Sequence, residues 1–300
     1  MKKTTILRKL LKEPGLLIAP GAYDCLTAKC VEAVGFKAVY MPPSMIDDAQ
    51  LGQPYIGLAT MTEVVNIVRY MANSVNIPLI ACGDDGFGGA LAAYRTTREV
   101  IGAGASGIYI SDRKHLMLAR APHNLLEVLS QEEYLGKIGA VVEARNKDDK
   151  DFIIIARIDA GATLGDEEVI ARAKACHELG VDIIYPHARP PESKFGERDK
   201  ETLRQLYRTI GAPQVLIWGQ GPDTFVAKDY EEIGAKLWVP GRFTEFIEEA
   251  VLDSYQRFYD TGLQPIYTFS SPGKKLSSNR LRKLKGLDYW CDVEKKYVVK

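Results

Sequence analysis

The stretch DFIIIARIDAGATLGDEEVIARAKACHELGVDIIYPHA, residues 151–188, contains two apolar runs with a helical segment between them. The runs FIIIARI and VDIIYP are rich in β-branched residues and continuously apolar, which is typical of strands buried on both faces. The segment between them has acidic residues in its first turn and is followed by Gly180, as helices often are. The stretch therefore predicts a strand, a helix and a second, parallel strand.

The same alternation recurs along most of the chain. Runs that predict strands occupy residues 15–20, 37–42, 77–82, 106–111, 151–158, 181–186, 213–219 and 235–240, with helical stretches between them. Eight strands alternating with helices over about 240 residues fit a (β/α)8 TIM barrel better than an open sheet. We therefore predict an α/β protein in which residues 1–260 form the barrel and residues 261–300 form a C-terminal helical extension.

The composition favours small-molecule partners. Of the 300 residues, 46% are hydrophobic and 26% charged, and 39 Lys and Arg residues balance 39 Asp and Glu residues. A chain without net charge has no overall field that would attract nucleic acid or an anionic membrane. The five cysteines form no CxxC pair, and the basic N-terminus predicts an amphipathic helix rather than a signal sequence or membrane span. We expect a cytoplasmic protein without nucleic-acid or membrane partners.

Polar side chains stand where the predicted strands end. Tyr23 follows the first strand, residues 83–86 (GDDG) the third, and Asp112 the fourth, while Arg157 ends the fifth and His187 follows the sixth. In (β/α)8 barrel enzymes the active site lies at the C-terminal ends of the strands. The sequence therefore predicts one polar active site at this end of the barrel.

Five segments together resemble one known family. They are APGAYDCLTAKCVEAVGFKAVYM (19–41), GDDGFGGALAAYRTTREVIGAGASGIYISD (83–112), VLSQEEYLGKIGAVVEAR (128–145), FIIIARIDA (152–160) and GVDIIYPHA (180–188). Their order and content are similar to the isocitrate lyase and phosphoenolpyruvate mutase superfamily, in particular to its methylisocitrate lyase-like branch. The similarity spans roughly residues 5–255.

The resemblance implies an enzyme that stabilises the enolate of a 2-oxo acid bound to Mg2+, held by carboxylates at the ends of strands two to four. The chain departs from the family's pattern at three of these positions. Cys82 replaces the first Asp of the third-strand motif, Tyr55 the Asp of Gly-x-Pro-Asp, and Ser111 the Glu of Glu-Asp. Asp84 keeps the second Asp of the third-strand motif and Asp85 follows it, so these two are the candidate Mg2+ ligands.

The departures leave two interpretations of the acidic residues. Mg2+ prefers hard oxygen ligands, and cysteine is a poor replacement for a carboxylate. One interpretation is a relocated site built from Asp84, Asp85, Asp112 and the neighbouring pair Asp47 and Asp48. The other is a polar turn at residues 84–85 that caps the next helix.

The substrate-holding positions agree better with the family. Arg157 stands where relatives have an arginine that clamps the substrate carboxylate, and His187 stands where the phosphonate enzymes have a histidine. A planar guanidinium suits a carboxylate, although a purely structural pair with Asp159 is the alternative. The residues predicted to contact substrate are Tyr23, Ser44, Asp112, Arg157, His187 and Trp218, of which Arg157 and His187 are also predicted to be catalytic.

The segment after the fourth strand differs most from the lyases. Relatives carry there a loop with a Lys-(Lys/Arg)-Cys-Gly-His segment whose cysteine is the acid/base, whereas residues 113–124 read RKHLMLARAPHN and hold no cysteine. His115 and His123 are the predicted proton carriers of this loop. The alternative is a non-catalytic lid helix that packs on a neighbouring subunit.

The resemblance and these residues predict a divergent carbon–carbon lyase that acts on a small 2-oxo or 2-hydroxy carboxylic acid through an enolate-type intermediate. A metal-independent decarboxylase, hydrolase or rearrangement catalyst in the same pocket is one alternative. A non-catalytic ligand-binding barrel is another. The resemblance also implies a homo-oligomer, either a tetramer or a dimer.

Overall fold

A computed structural model describes residues 1–114, 127–186, 200–211, 216–218, 225–240, 243–262 and 283–297. Within these ranges it contains eight strands, one inside each of the runs that the sequence predicted. They are β1 (Leu17–Ile18), β2 (Val39–Met41), β3 (Leu79–Cys82), β4 (Gly107–Ser111), β5 (Ile153–Ile158), β6 (Ile183–Pro186), β7 (Leu216–Trp218) and β8 (Leu237–Val239).

All strand pairs are parallel, and together they form a barrel. One ladder runs in the order β2-β3-β4-β5-β6 and a second in the order β1-β8-β7. The Tyr40 amide donates to the carbonyl of Pro20 at 3.0 Å and the Ala22 amide donates to the carbonyl of Tyr40 at 2.8 Å, which joins the end of β1 to β2. Strands β6 and β7 lie side by side. The predicted TIM-barrel fold is confirmed.

Helices follow the strands, as in βα units. They are α1 (Lys3–Leu10), α2 (Cys25–Val34), α3 (Pro43–Ile46), α4 (Met61–Ser74), α5 (Ala90–Gly102), α6 (Gln131–Asp148), α7 (Gly161–Leu164), α8 (Asp166–Glu178), α9 (Lys200–Ile210), α10 (Ala227–Ile233), α11 (Phe243–Thr261) and α12 (Leu287–Tyr297). A π-helix, Asp47–Leu51, directly continues α3. The predicted leading helix is α1.

Local sequence signals explain where the helices begin and end. Asp24, Thr60 and Ser130 each cap a helix in a reciprocal capping box that satisfies amides of the first turn. Gly35 ends α2 with a φ of 108°, and Gly180 follows α8 with a φ of 93°. Residues other than glycine rarely adopt such angles, which is why glycine follows these helices.

Side chains alternate between the two faces of the barrel wall, since successive residues of a strand point to opposite sides. Along β5, Ile153 and Ile155 pack in a cluster inside the barrel, whereas Ile154 packs in the larger cluster between the strands and the helices. The same alternation sends Arg157 to the inside at the C-terminal end of β5. Leu7 from α1 belongs to the inner cluster and is fully buried, so this helix covers the opposite end.

Two glycines of the barrel have opposite surroundings and give a matched test of packing. A Cβ atom on Gly83 would lie 2.6 Å from the Cδ1 atoms of both Ile108 and Ile110, whereas one on Gly136 would meet nothing within 4 Å. We expect Gly83→Ala to lower the free energy of unfolding by about 1–3 kcal/mol. Gly136→Ala, inside α6, should raise it by about 0.5–1 kcal/mol. Urea denaturation of both variants measures these changes, and a destabilised Gly136→Ala would contradict the described packing.

The C-terminal part contains the long helix α11 and the separate helix α12. Large apolar side chains stand exposed on both, among them Phe246, Tyr259 and Trp290, which are 75%, 87% and 62% exposed. The boundary at residue 260 remains a prediction. Among the described residues, none of the helices combines the length and apolarity needed to cross a membrane.

Candidate active site

The turn after β3 places a buried carboxylate at the C-terminal end of the barrel. Asp84 has a φ of 50°, a left-handed conformation that Asp tolerates better than most residues, and its carbonyl accepts from the Ser111 amide at 2.7 Å. The Oδ1 atom of Asp84 accepts hydrogen bonds from the phenol of Tyr55 and from the thiol of Cys82, the latter at 3.3 Å. Tyr55 and Cys82, which replace two carboxylates of the family, thus both contact Asp84, the aspartate that remains in the third-strand motif.

Burial raises the pKa values of the acidic side chains in this group. Burial raises the pKa of Asp84 to about 6, although the bonds from Tyr55 and Cys82 lower it in part. Burial and the charge of Asp84 raise the pKa of Cys82 well above its ordinary value. Cys82 is therefore a thiol that donates to Asp84, which is poor chemistry for a nucleophile because thiolates are the reactive form.

Asp47, the first residue of the π-helix, is a second buried carboxylate, and its side chain is 1% exposed. Burial is the main cause that raises the pKa of Asp47 to about 6, although a backbone contact from Ala59 lowers it in part. Asp84 contributes more to the rise than the sequence neighbour Asp48. The charges of Asp47 and Asp84 therefore interact, and π-helical turns are frequent at functional sites.

Asp85, the second predicted metal ligand, is used inside the protein. Its Oδ1 accepts from the amide of Phe87 at 2.8 Å, and its carbonyl accepts from Nζ of the buried Lys137 at 2.6 Å. These contacts hold the turn between β3 and α5. They agree with the alternative of a polar turn for Asp85, whereas the carboxylate of Asp84 contacts Tyr55 and Cys82.

Two buried arginines share one carboxylate across the barrel mouth. Arg157 binds Asp159 through Nε and NH2, at 2.8 and 3.0 Å, and NH2 of Arg113 reaches the same carboxylate at 2.9 Å. Both arginines are 7% exposed and Asp159 is fully buried. Burial lowers the pKa of Arg157, but Asp159 and the neighbouring tyrosines more than offset this and raise it. The pair therefore stays charged.

Tyrosines fix the position of Arg157. Its guanidinium lies 5.7 Å from the ring centre of Tyr109 and 5.2 Å from that of Tyr185, both inside the barrel. From the outer side, the phenol of Tyr134 donates to the carbonyls of Ile110 and Arg157, at 3.1 and 2.9 Å. Stacking and strand anchoring together hold the guanidinium in one orientation.

A second buried ion pair, between Asp112 and Arg172, contacts the backbone at Asp159. The fully buried Asp112 accepts from the amides of Asp159 at 2.7 Å and Ala160 at 3.3 Å, and from NH1 of Arg172 at 3.0 Å. Arg172, on α8, is 1% exposed and also binds Glu168 at 2.8 Å. Burial and the charge of Asp159 raise the pKa of Asp112, while the amides and Arg172 lower it. The described contacts of Asp112 are all to protein groups.

The remaining predicted residues are placed as follows. Tyr23 is half-buried beside the cap of α2, where burial and the charges of Asp24 and Glu248 raise its pKa. Ser44 lies half-buried in α3, and Trp218 ends β7. Three residues that we predicted to be catalytic lie outside the described residues: His115, His123 and His187. Their roles, like the substrate contacts of Tyr23, Ser44, Asp112 and Trp218, stay predictions.

Two arginines of the site were given no role from the sequence. Arg113 follows Asp112 directly and was expected at the C-terminal end of the fourth strand, but without a partner or a function. Arg172 stands four residues after Glu168, a spacing that is typical of an exposed pair on a helix surface. The available signal was the apolar face of α8, where Arg172 lies in register with the buried Val169 and Cys176. An arginine on such a face needs an acidic partner inside the protein.

Among the described side chains, no group of three or more His, Cys, Asp or Glu residues is placed to hold a metal ion. Asp47 and Asp84 are both buried carboxylates. Mg2+ is commonly held by one or two carboxylates with waters and substrate, so the chemistry of these two side chains suits it.

Comparisons with known proteins agree with the fold. A model of the family described as phosphoenolpyruvate phosphomutase matches residues 7–246. The chain is 38% identical over 232 residues to 2,3-dimethylmalate lyase of Eubacterium barkeri, covering 77% of this chain and 76% of that protein. A structure of oxaloacetate acetylhydrolase in complex with the product oxalate aligns with a TM-score of 0.86 and 26% identity, over 98% of each chain.

A second solved relative holds a metal. The structure of phosphonopyruvate hydrolase in complex with oxalate and Mg++ aligns with a TM-score of 0.84 and 26% identity, over 99% of each chain. Members of this group include lyases, mutases and hydrolases that act on small carboxylates, and they typically use Mg2+. The chain belongs to the phosphoenolpyruvate mutase and isocitrate lyase superfamily.

Proposed function

We propose that this chain is an enzyme that acts on a small 2-oxo or 2-hydroxy carboxylic acid, and that it cleaves a carbon–carbon bond through an enolate-type intermediate. The observation that carries the proposal is the sharing of Asp159 by Arg157 and Arg113 at the barrel mouth. Two guanidiniums beside one carboxylate concentrate cationic hydrogen-bond donors at the C-terminal end of the barrel. Such donors suit the recognition of a substrate carboxylate.

The setting of Arg157 favours this role over a purely structural one. Stacking by Tyr109 and Tyr185, together with the bonds from Nε and NH2 to Asp159, keeps its guanidinium in one orientation at the C-terminal end of β5. The site is thus preorganised for an anion.

In the proposed mechanism Arg157 holds the substrate carboxylate, and Arg113 stabilises negative charge that develops on the oxygen at carbon 2. Fixed charges in a water-poor site stabilise an enolate more strongly than water does, because they need no reorganisation. His115 or His123 carries the proton, and His187 contacts a second polar group of the substrate. Asp47 and Asp84 would hold Mg2+, which would supply further charge stabilisation to the enolate.

A hydrolase or decarboxylase is the second candidate, and one observation favours it. Residues 113–124 contain no cysteine, so the acid/base segment of the lyases is absent from the sequence. Enolate chemistry needs only a carboxylate clamp and a proton carrier, which the hydrolytic reaction uses as well. The two candidates share the pocket and differ in the bond that breaks.

The test compares three acids that differ only at carbon 2: oxaloacetate, malate and succinate. We expect oxaloacetate and malate to raise the melting temperature of the metal-loaded protein, and succinate to raise it less, because succinate has no oxygen at carbon 2. NMR analysis of the products from 2-oxo and 2-alkylmalate substrates then distinguishes lyase from hydrolase. Equal shifts with all three acids would refute the 2-oxygen requirement, and binding without turnover would indicate a non-catalytic barrel.

We further propose that the protein is a cytoplasmic homo-oligomer, either a tetramer or a dimer, without nucleic-acid or membrane partners. Support comes from the exposed apolar side chains of α11, among them Phe246, Leu252, Tyr255 and Tyr259. Contiguous exposed apolar surface typically marks a protein–protein interface. Sedimentation equilibrium of the full chain measures the oligomeric state.

A further inference from the structure

We propose that Asp112 and Arg172 are positioning residues for the binding of the substrate carboxylate. They act on the guanidinium of Arg157 through its partner Asp159. The inference deepens the proposed function and rests on it, because it takes Arg157 as the group that holds the carboxylate. It gives Asp112 a role behind the pocket in place of the substrate contact that the sequence predicted.

The side chain of Asp112 faces away from the pocket. Tyr109 packs in the cluster inside the barrel, whereas Ile110 packs in the cluster between the strands and the helices. Asp112 follows Ile110 by two residues, so the alternation along a strand sends both side chains to the outer side. Its 3.0 Å contact with Arg172, which lies on the outer helix α8, agrees with this direction. Asp112 therefore influences the pocket through other residues.

The carboxylate of Asp112 fixes the backbone that carries Asp159. Its Oδ1 accepts from the amide of Asp159 at 2.7 Å, and its Oδ2 accepts from the amide of Ala160 at 3.3 Å. The amide of Asp112 also donates to the carbonyl of Arg157 at 3.1 Å. Because the side chain of Asp159 binds the guanidinium of Arg157 at 2.8 and 3.0 Å, the position of that guanidinium depends on Asp112.

Asp112 is also linked to the second guanidinium. Arg113 is the next residue of the chain, and its NH2 binds the carboxylate of Asp159 at 2.9 Å. Asp112 thus adjoins the backbone of Arg113 and bonds to the backbone of Asp159. A shift of this one carboxylate would change the position of both guanidiniums relative to Asp159.

Arg172 holds the carboxylate of Asp112 against the strands. Its NH1 binds Oδ2 of Asp112 at 3.0 Å, and its Nε binds Glu168 on the same helix at 2.8 Å. A planar guanidinium that is bound at two points has little freedom to move. Without Arg172, the described bonds leave Oδ2 of Asp112 only the 3.3 Å contact from Ala160. The turn after β5 then loses its anchor on α8.

The test measures oxalate binding to the folded full chain by isothermal titration calorimetry. We expect Arg172→Met to weaken binding by at least about 10-fold, because a small displacement of a binding group is costly. Arg172→Lys keeps the positive charge and should weaken binding by about 3- to 5-fold, so it tests the proposal even where Arg172→Met does not fold. Circular dichroism at the titration temperature checks the folding of each variant.

Arg145→Met is the matched control. Arg145 is also a buried arginine that pairs with a carboxylate, that of Asp182 at 3.0 Å. Asp182 precedes β6 and so lies at the opposite end of the barrel. This variant should lose stability and change the affinity for oxalate by less than about 2-fold, since distant sites act independently.

A double-mutant cycle shows whether the effect passes through Arg157. In the Arg157→Lys background, Arg172→Lys should change the affinity for oxalate by less than about 2-fold, because the guanidinium that it positions is already absent. A merely structural Arg172 would alter the melting temperature and leave the affinity of the folded protein unchanged.

Two results would overturn the proposal and leave the proposed function intact. One is an oxalate affinity of the folded Arg172 variants equal to that of the wild type. The other is a loss in the Arg157→Lys background as large as the loss in the wild type. If Arg157→Lys itself binds oxalate as the wild type does, the proposed function fails, and the positioning role of Arg172 fails with it.

Discussion

Replacing Arg172 by methionine is expected to lower the free energy of unfolding by about 3–5 kcal/mol, because it leaves the buried carboxylate of Asp112 without its cation. Arg172 is 1% exposed and Asp112 fully buried, so water cannot take over the role of the guanidinium. The two amides that bind Asp112 remain but carry no full charge. Urea denaturation at neutral pH measures the loss.

The control for this prediction is Arg98→Met. Arg98 also binds one carboxylate, that of Asp148 at 2.7 Å, but its side chain is 46% exposed. We expect a loss below about 1 kcal/mol, since solvent screens exposed pairs. Equal losses in Arg172→Met and Arg98→Met would show that burial does not set the strength of the Arg172 pair.

The loss in Arg172→Met should also depend on pH. Without its cation, the native pKa of Asp112 rises further above the value in the unfolded chain, so the native state binds a proton that the unfolded state releases. Stability then falls as the pH rises above the unfolded pKa of about 4, and the loss is larger at about pH 8 than at about pH 5.

Arg157→Lys is expected to weaken the binding of oxalate or a 2-oxo acid by roughly 100-fold, equivalent to about 3 kcal/mol. Lysine keeps the positive charge but loses the planar fork that pairs with a carboxylate. It also loses the stacking on Tyr109 and Tyr185. Isothermal titration calorimetry of the wild type and the variant measures the difference.

The matched control for Arg157→Lys is Arg145→Lys. Arg145 is a buried arginine paired with Asp182 at 3.0 Å, but Asp182 precedes β6 and so lies at the opposite end of the barrel. This variant should lose stability and keep its affinity for oxalate. If Arg157→Lys binds oxalate as the wild type does, the anion site is not at this guanidinium.

The fold was predictable because its signals are local. The run of residues 151–158 is continuously apolar since both faces of a barrel strand are buried, and β5 lies within it. The glycines after α2 and α8 adopt φ angles that other residues avoid. Each of these features depends on residues that are close together in the sequence. The sequence alone therefore predicts the strands, the helices and the end of the barrel where the site lies.

The partners of the charged residues were not predictable in the same way. The sequence indicated Arg157 and Asp159 as a pair, because they are two residues apart. It did not indicate that Arg113, 46 residues before Asp159, shares that carboxylate, or that Arg172 and Asp112, 60 residues apart, form a buried pair. Nothing local in a sequence encodes a contact between distant strands and helices.

The sequence by itself determined the barrel, its superfamily resemblance and the loss of three carboxylates and of the loop cysteine. The tertiary structure decided what the replacements do: Tyr55 and Cys82 bind Asp84, and burial raises the pKa of that carboxyl to about 6. The physical reason is that strand identity follows from local hydrophobicity. The charge state and ligand capacity of a carboxylate follow from burial and from neighbours that only folding brings together.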